Sequence, residues 1–122
     1  MDTQLPRRAA ALLALSALAP RLFGIAAADE SGRLTAEQVR GTFIGRAWSQ
    51  GRGTFLFAPD GTYRYDDPGM SARGTWRMDD AGTLCTVNSA SGVRTCYTFY
   101  RHGDGYRYWH DRSRQFWPAH LR

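Results

Sequence analysis

The chain has 122 residues, 16 of them basic and 11 acidic, and all 16 basic residues are arginine, giving a net charge of +5. That length holds one domain, and after the first segment the chain has abundant rings but no long aliphatic run, which points to a thin β structure cored by aromatic side chains. The charge is too modest to make nucleic acid an expected partner.

Residues 1–28 have the layout of a cleavable secretory signal. Arg7 and Arg8 form a basic start, Ala9 to Ala19 are apolar but too short to span a bilayer, and Ala26 to Ala28 supply small residues before Asp29. Cleavage there would leave 94 of the 122 residues. The loss of Arg7, Arg8, Arg21 and Asp2 would take the net charge from +5 to +3. No cysteine lies near the cleavage region, which excludes a lipid anchor at that point. The expected location is periplasmic or secreted, with no membrane anchor once the signal is removed. Residues 29–33 form a polar lead, and residues 34–122 form a single domain.

That domain opens with a helix predicted over Leu34 to Ile44. Thr35 is its N-cap, Gln38 completes a capping box, and Leu34 is placed to staple onto Val39. Val39 and Phe43 share a face. Gly41 weakens the helix and Gly45 ends it, leaving a short element suited to lie against a sheet or close one end of it.

From Gly45 onward, turn signals recur every 8–12 residues or so, the spacing of a sandwich or barrel. Strands are predicted over Arg46 to Gln50 and Thr54 to Ala58. Pro59-Asp60-Gly61 fits a three-residue hairpin loop that opposes Phe57 to Tyr63 and Phe55 to Tyr65. Asp66 to Gly69 break the chain before a strand from Ser71 to Met78, with Gly74, Trp76 and Met78 on one face and Arg73, Thr75 and Arg77 on the other. The turn at Asp79 to Gly82 leaves the register open. Four loop residues set Trp76 against Cys85, and three set it against Thr86 on the other face.

The two cysteines follow. If Ser89 to Gly92 form a four-residue loop, Asn88 faces Val93, and Cys85 and Cys96 become direct cross-strand neighbours with Cβ atoms roughly 4.5–5.5 Å apart. An oxidising compartment favours a disulfide; the alternatives are two free thiols or half of a metal site. Tyr106 to Asp111 and Arg114 to His120 are the last predicted strands, with Pro118 expected at an edge or a break in the ladder. The sum is an all-β fold, a small antiparallel meander barrel of seven or eight strands with one short N-terminal helix.

No catalytic constellation stands out. His110 and Asp111 are adjacent on a strand and so point to opposite faces, while the aspartates fall mostly in turns. Nothing calls for a metal or any other cofactor. Arg101, Arg107, Arg112 and Arg114 interleave with Tyr100, Tyr106, Tyr108, Trp109 and Trp117, but alternating strands of an exported barrel have the same pattern, and nucleic acid is not expected. The remaining reading is a binding barrel. Phe55, Phe57, Tyr63, Tyr65 and Trp76 are candidates to line a site for a small apolar ligand, and rim loops could present a surface to a protein partner.

Two resemblances bear on this. Gly74-Thr75-Trp76, Leu84-Cys85, Cys96-Tyr97 with Tyr100, and Gly103-Asp104-Gly105-Tyr106, after a helix beginning Leu34-Thr35-Ala36-Glu37, resemble a family of small exported bacterial proteins catalogued as a domain of unknown function. That resemblance implies an exported β protein and carries over no catalytic residue. Ser89-Ala90-Ser91-Gly92-Val93-Arg94 is similar to a segment of the inhibitors of C-type lysozyme, small β-barrels in which that segment touches the enzyme. It implies Ser89, Ser91 and Arg94 as protein contacts, although Thr95 stands where those inhibitors have tyrosine. The expected function is a non-enzymatic exported binding protein, with an enzyme inhibitor as the first alternative and an enzyme of unrecognised type as the second.

Overall fold

The computed structural model describes residues 32–122, so the predicted signal at residues 1–28 and most of the polar lead lie outside the described residues. Helix α1 spans Ala36–Phe43 and begins as its sequence dictates. The Thr35 hydroxyl accepts the Gln38 N–H at 3.1 Å, and the Gln38 side chain accepts the Thr35 N–H at 2.9 Å. Leu34, Val39 and Phe43 are buried together in the core.

Eight strands follow: β1 Ala47–Ser49, β2 Thr54–Phe57, β3 Thr62–Asp67, β4 Met70–Met78, β5 Thr83–Asn88, β6 Arg94–His102, β7 Gly105–His110 and β8 Gln115–Leu121. Each pairs antiparallel with the next, and β8 returns to β1, giving a closed eight-stranded barrel in meander order. The seam is short. Only His120 and Leu121 of β8 pair with β1, through Ser49 and Trp48. Pro118 therefore sits where β8 has no β1 neighbour to receive an N–H, so a proline costs nothing on that side.

Local turn chemistry sets the registers. Ala58 donates to Thr62 O at 2.8 Å around Pro59-Asp60-Gly61, with Gly61 at φ +92°, and Phe55 faces Tyr65 while Phe57 faces Tyr63. The register left open at Asp79 to Gly82 takes the three-residue form. Trp76 faces Thr86, so Thr86 is inside and Cys85 outside. Asp79 Oδ1 holds this loop by accepting the Ala81 and Thr83 amides at 2.9 and 3.0 Å. Cys85 and Cys96 face each other and form a disulfide on the outer wall. Closing so short a loop contributes about 3 kcal/mol through chain entropy.

Because the strands run up and down, the turns fall alternately at the two ends. At one end lie the turns after β2, β4 and β6. There α1 plugs the barrel: Phe43 stacks on Phe99 at 4.4 Å and meets the edges of Trp48 at 5.3 Å and Tyr106 at 5.4 Å. The lead into the helix seals a loose edge. β5 stops at Thr83 opposite Thr98, and beyond it Gly32 O accepts the Arg101 N–H while Leu34 donates to Phe99 O. Trp48, fully buried, sits between the plug and the middle of the barrel, stacked on Phe55 at 4.4 Å.

Candidate functional site: the open end of the barrel

Among the described residues no helix covers the other end, where the turns after β1, β3, β5 and β7 gather. Inward-facing side chains there leave a cleft of ≈ 440 Å³, within the range that holds a small molecule. Phe55 comes from β2, Tyr63 and Tyr65 from β3, Thr86 and Asn88 from β5, Tyr97 from β6, Tyr108 and His110 from β7 and Trp117 from β8. Ser91 and Val93 of the β5–β6 turn stand at its rim. One glycine makes room on β4: a Cβ at Gly74 would collide with the Val87 carbonyl and with the Tyr63 ring, so only glycine lets that ring lie flat against the wall.

Most of the polar groups in the cleft are held. The Tyr65 hydroxyl donates to Asp67 Oδ2 at 2.8 Å and accepts Gln50 Nε2–H at 3.1 Å. Asn88 Oδ1 accepts the Ala90 and Ser91 amides and fixes the rim turn. Thr86, 2% exposed, is within hydrogen-bonding reach of Tyr63 and Tyr97 on the cleft floor. His110 is oriented by the last turn: the Ser113 N–H donates to His110 Nδ1 at 3.1 Å, and Ser113 Oγ lies 2.8 Å from the same nitrogen while accepting Trp117 Nε1–H at 3.2 Å. Nδ1 is thus an acceptor and the neutral ring carries its proton on Nε2.

The electrostatics are those of a cleft lined by uncharged side chains. Among the described residues no Asp, Glu or Arg side chain lines it. Burial raises the Tyr97 hydroxyl to about 12, an effect that hydrogen bonding to Thr86 opposes. Burial raises Tyr108 as well, with Tyr97 and Tyr65 adding to it. Burial lowers the His110 imidazole, Asp111 opposes that shift, and Arg112 reinforces it.

The sequence-predicted residues distribute unevenly. Phe55, Tyr63 and Tyr65 line the cleft, whereas Phe57 packs under it against Trp48 and Trp76, and Trp76 donates its indole N–H to Ala58 O at 2.8 Å near the plugged end. Ser89, Ser91 and Arg94 do not converge. The Ser89 hydroxyl is tied to Arg73 O, Ser91 stands at the rim, and Arg94 lies on the outer wall with Nη2 3.5 Å from Cys85 Sγ. Asp111 turns away from His110 and accepts the Cys96 N–H at 2.9 Å. Among the C-terminal rings Tyr108 and Trp117 face inward, while Arg107 covers the outer face of Phe116 at 3.9 Å. Among the described residues no group of three or more His, Cys, Asp or Glu is placed to hold a metal ion, and no helix is long and apolar enough to cross a membrane.

Sequence reasoning missed Thr86, Tyr97, Tyr108, His110 and Trp117 as lining. Their strand parity was readable, since Tyr97 and Phe99 share a face, as do Tyr108 and His110. What the sequence did not display was the closure that carries β7 and β8 round to β2. Comparison with protein-family models, curated proteins and solved structures finds no match.

Proposed function

We propose that this chain is an exported, non-enzymatic binding protein that takes a small uncharged ligand into the open end of its barrel. One observation carries the reading: the barrel is plugged by α1 at one end and open at the other onto a ring-walled cleft of ≈ 440 Å³ without a charged lining side chain. Eight strands enclose just enough space for side chains or one small ligand, and here the cleft opens above the packed rings of the plugged end. Nile red, a neutral dye whose emission brightens in apolar surroundings, tests it directly. Emission should rise with the wild-type protein and stay flat with Ala72→Trp, which blocks the cleft from β4. Equal brightening with both proteins would place the dye elsewhere and remove the reading.

Export rests on the signal-like start at residues 1–28 and agrees with the disulfide. The denatured mass of protein recovered from the periplasm or medium should lack the first segment and be about 2 Da below the reduced form. A full-length reduced mass would contradict it. A second reading, an enzyme inhibitor, draws on the exposure of the whole turn from Ser89 to Arg94. It predicts loss of C-type lysozyme activity on titration, and unchanged activity would end it.

A further inference from the structure

The geometry points to a specific ligand class: a neutral, flat aromatic molecule bearing a ring carbonyl, with that oxygen accepting a hydrogen bond from the Tyr108 hydroxyl. The inference rests on the binding reading above and adds to it the chemistry the cleft leaves unmet.

Tyr65, Thr86 and Asn88 have partners within the protein, as described. Two groups do not. Tyr108 is 2% exposed, faces the cleft, and its hydroxyl has no hydrogen-bond partner among the described residues. His110 spends Nδ1 on the Ser113 turn, which leaves Nε2–H without an acceptor. Neither group is sealed from solvent in the open cleft, so a ligand that displaces water there must supply acceptors or leave both donors unmatched. Nε2–H can only donate and the tyrosine hydroxyl can donate, so a ligand serves both by bringing acceptors. The two rings are 6.3 Å apart between centroids, a span that one small ring system with oxygen substituents covers.

Shape and charge narrow the class. Phe55, Tyr65, Tyr97 and Trp117 offer ring surfaces, which favour a flat π-system over an aliphatic chain. An anionic acceptor is disfavoured because no fixed cation lines the cleft, and the burial that raises the tyrosine hydroxyls penalises any negative charge brought in. A carbonyl oxygen gives acceptor strength without charge.

Three probes of similar outline separate these terms: chromone, which is flat, neutral and carries a ring carbonyl; naphthalene, which lacks the carbonyl; and 1-naphthoate, which is anionic. Titrated calorimetrically into the wild-type protein, chromone should bind about tenfold tighter than naphthalene, the worth of one matched buried donor, and naphthoate should be weakest. Tyr108→Phe keeps the ring and should take away most of chromone's advantage while leaving naphthalene unchanged. Equal binding of chromone and naphthalene by the wild-type protein would overturn the donor assignment and leave the cleft reading standing. So would a preference that Tyr108→Phe leaves undiminished. Tightest binding of naphthoate would overturn the neutral class. No binding of any probe would sink the cleft reading along with the inference.

Discussion

The two ends of the barrel are built from the same strands, yet one is packed shut by α1 and the other is open. At the plugged end the inward rings are mainly hydrocarbon: Phe57 and Phe99, with Phe43 of α1 driven between Phe99, Trp48 and Tyr106. At the open end most of the rings carry hydroxyls, Tyr63, Tyr65, Tyr97 and Tyr108, and the helix has no counterpart. On β6 the change takes one step along the inner face, from Tyr97 to Phe99. A phenylalanine buries its whole surface and asks for nothing else. A tyrosine needs a partner for its hydroxyl, so tyrosines belong where the wall meets a polar rim or a ligand. The difference between the plugged end and the open end proposed to bind a ligand thus comes down to where oxygen atoms sit in a ring-filled barrel.

That contrast predicts a gradient of mutational effects. The largest belongs to the plug: Phe43→Ala removes a fully buried ring and should cost about 3–5 kcal/mol, read from the denaturation midpoint. A loss below about 1 kcal/mol would mean that α1 is not holding the barrel shut. Next comes the wall between the ends. Replacing Cys85 and Cys96 together with alanine should cost about 3 kcal/mol, with the native spectrum retained below the transition.

Smaller effects sharpen the comparison. Thr35→Ala takes away the cap of α1 and should cost about 1 kcal/mol, whereas Tyr108→Phe at the open end, which removes an unmatched hydroxyl, should leave stability unchanged or slightly raised. A loss of about 1 kcal/mol or more from Tyr108→Phe would show that the hydroxyl has a partner within the protein. The smallest effect is a dependence on pH. Burial holds His110 below its ordinary 6.5, so the unfolded chain takes up the proton first. Stability should be full above pH 6.5 and fall as the pH drops through the folded value, and His110→Gln should remove that part of the slope. An unchanged slope in the variant would put the titration on another group.

What could be read from the sequence was local. The cap of α1, the loop at Pro59-Asp60-Gly61 and the pairing of Cys85 with Cys96 depend on residues within a few positions of one another, and each forms as its residue types require. The turn at Asp79 to Gly82 contained its answer in a form easily passed over. Asp80-Ala81-Gly82 before Thr83 repeats Pro59-Asp60-Gly61 before Thr62, with glycine at the same left-handed position, φ +90° beside +92°. That parallel selects the three-residue loop, which places Thr86 inside and the disulfide outside. Of the cleft only the hairpin part, Phe55, Tyr63 and Tyr65, was legible, because the rest of its lining comes from β4 to β8 and meets only when β8 reaches β1 through two residue pairs. Such closure is a property of strand tilt and stagger and leaves no short motif.

The central claim is that one end of this barrel is sealed and the other receives a ligand, and mapping backbone amide shifts by NMR as chromone is added tests it most directly. The account predicts shifts at Thr86, Thr95 and His110, which line the cleft, with Val39 and Phe43 in the plug unmoved. Shifts centred on α1 or on the outer face around Phe116, or none up to the solubility limit of chromone, would contradict it.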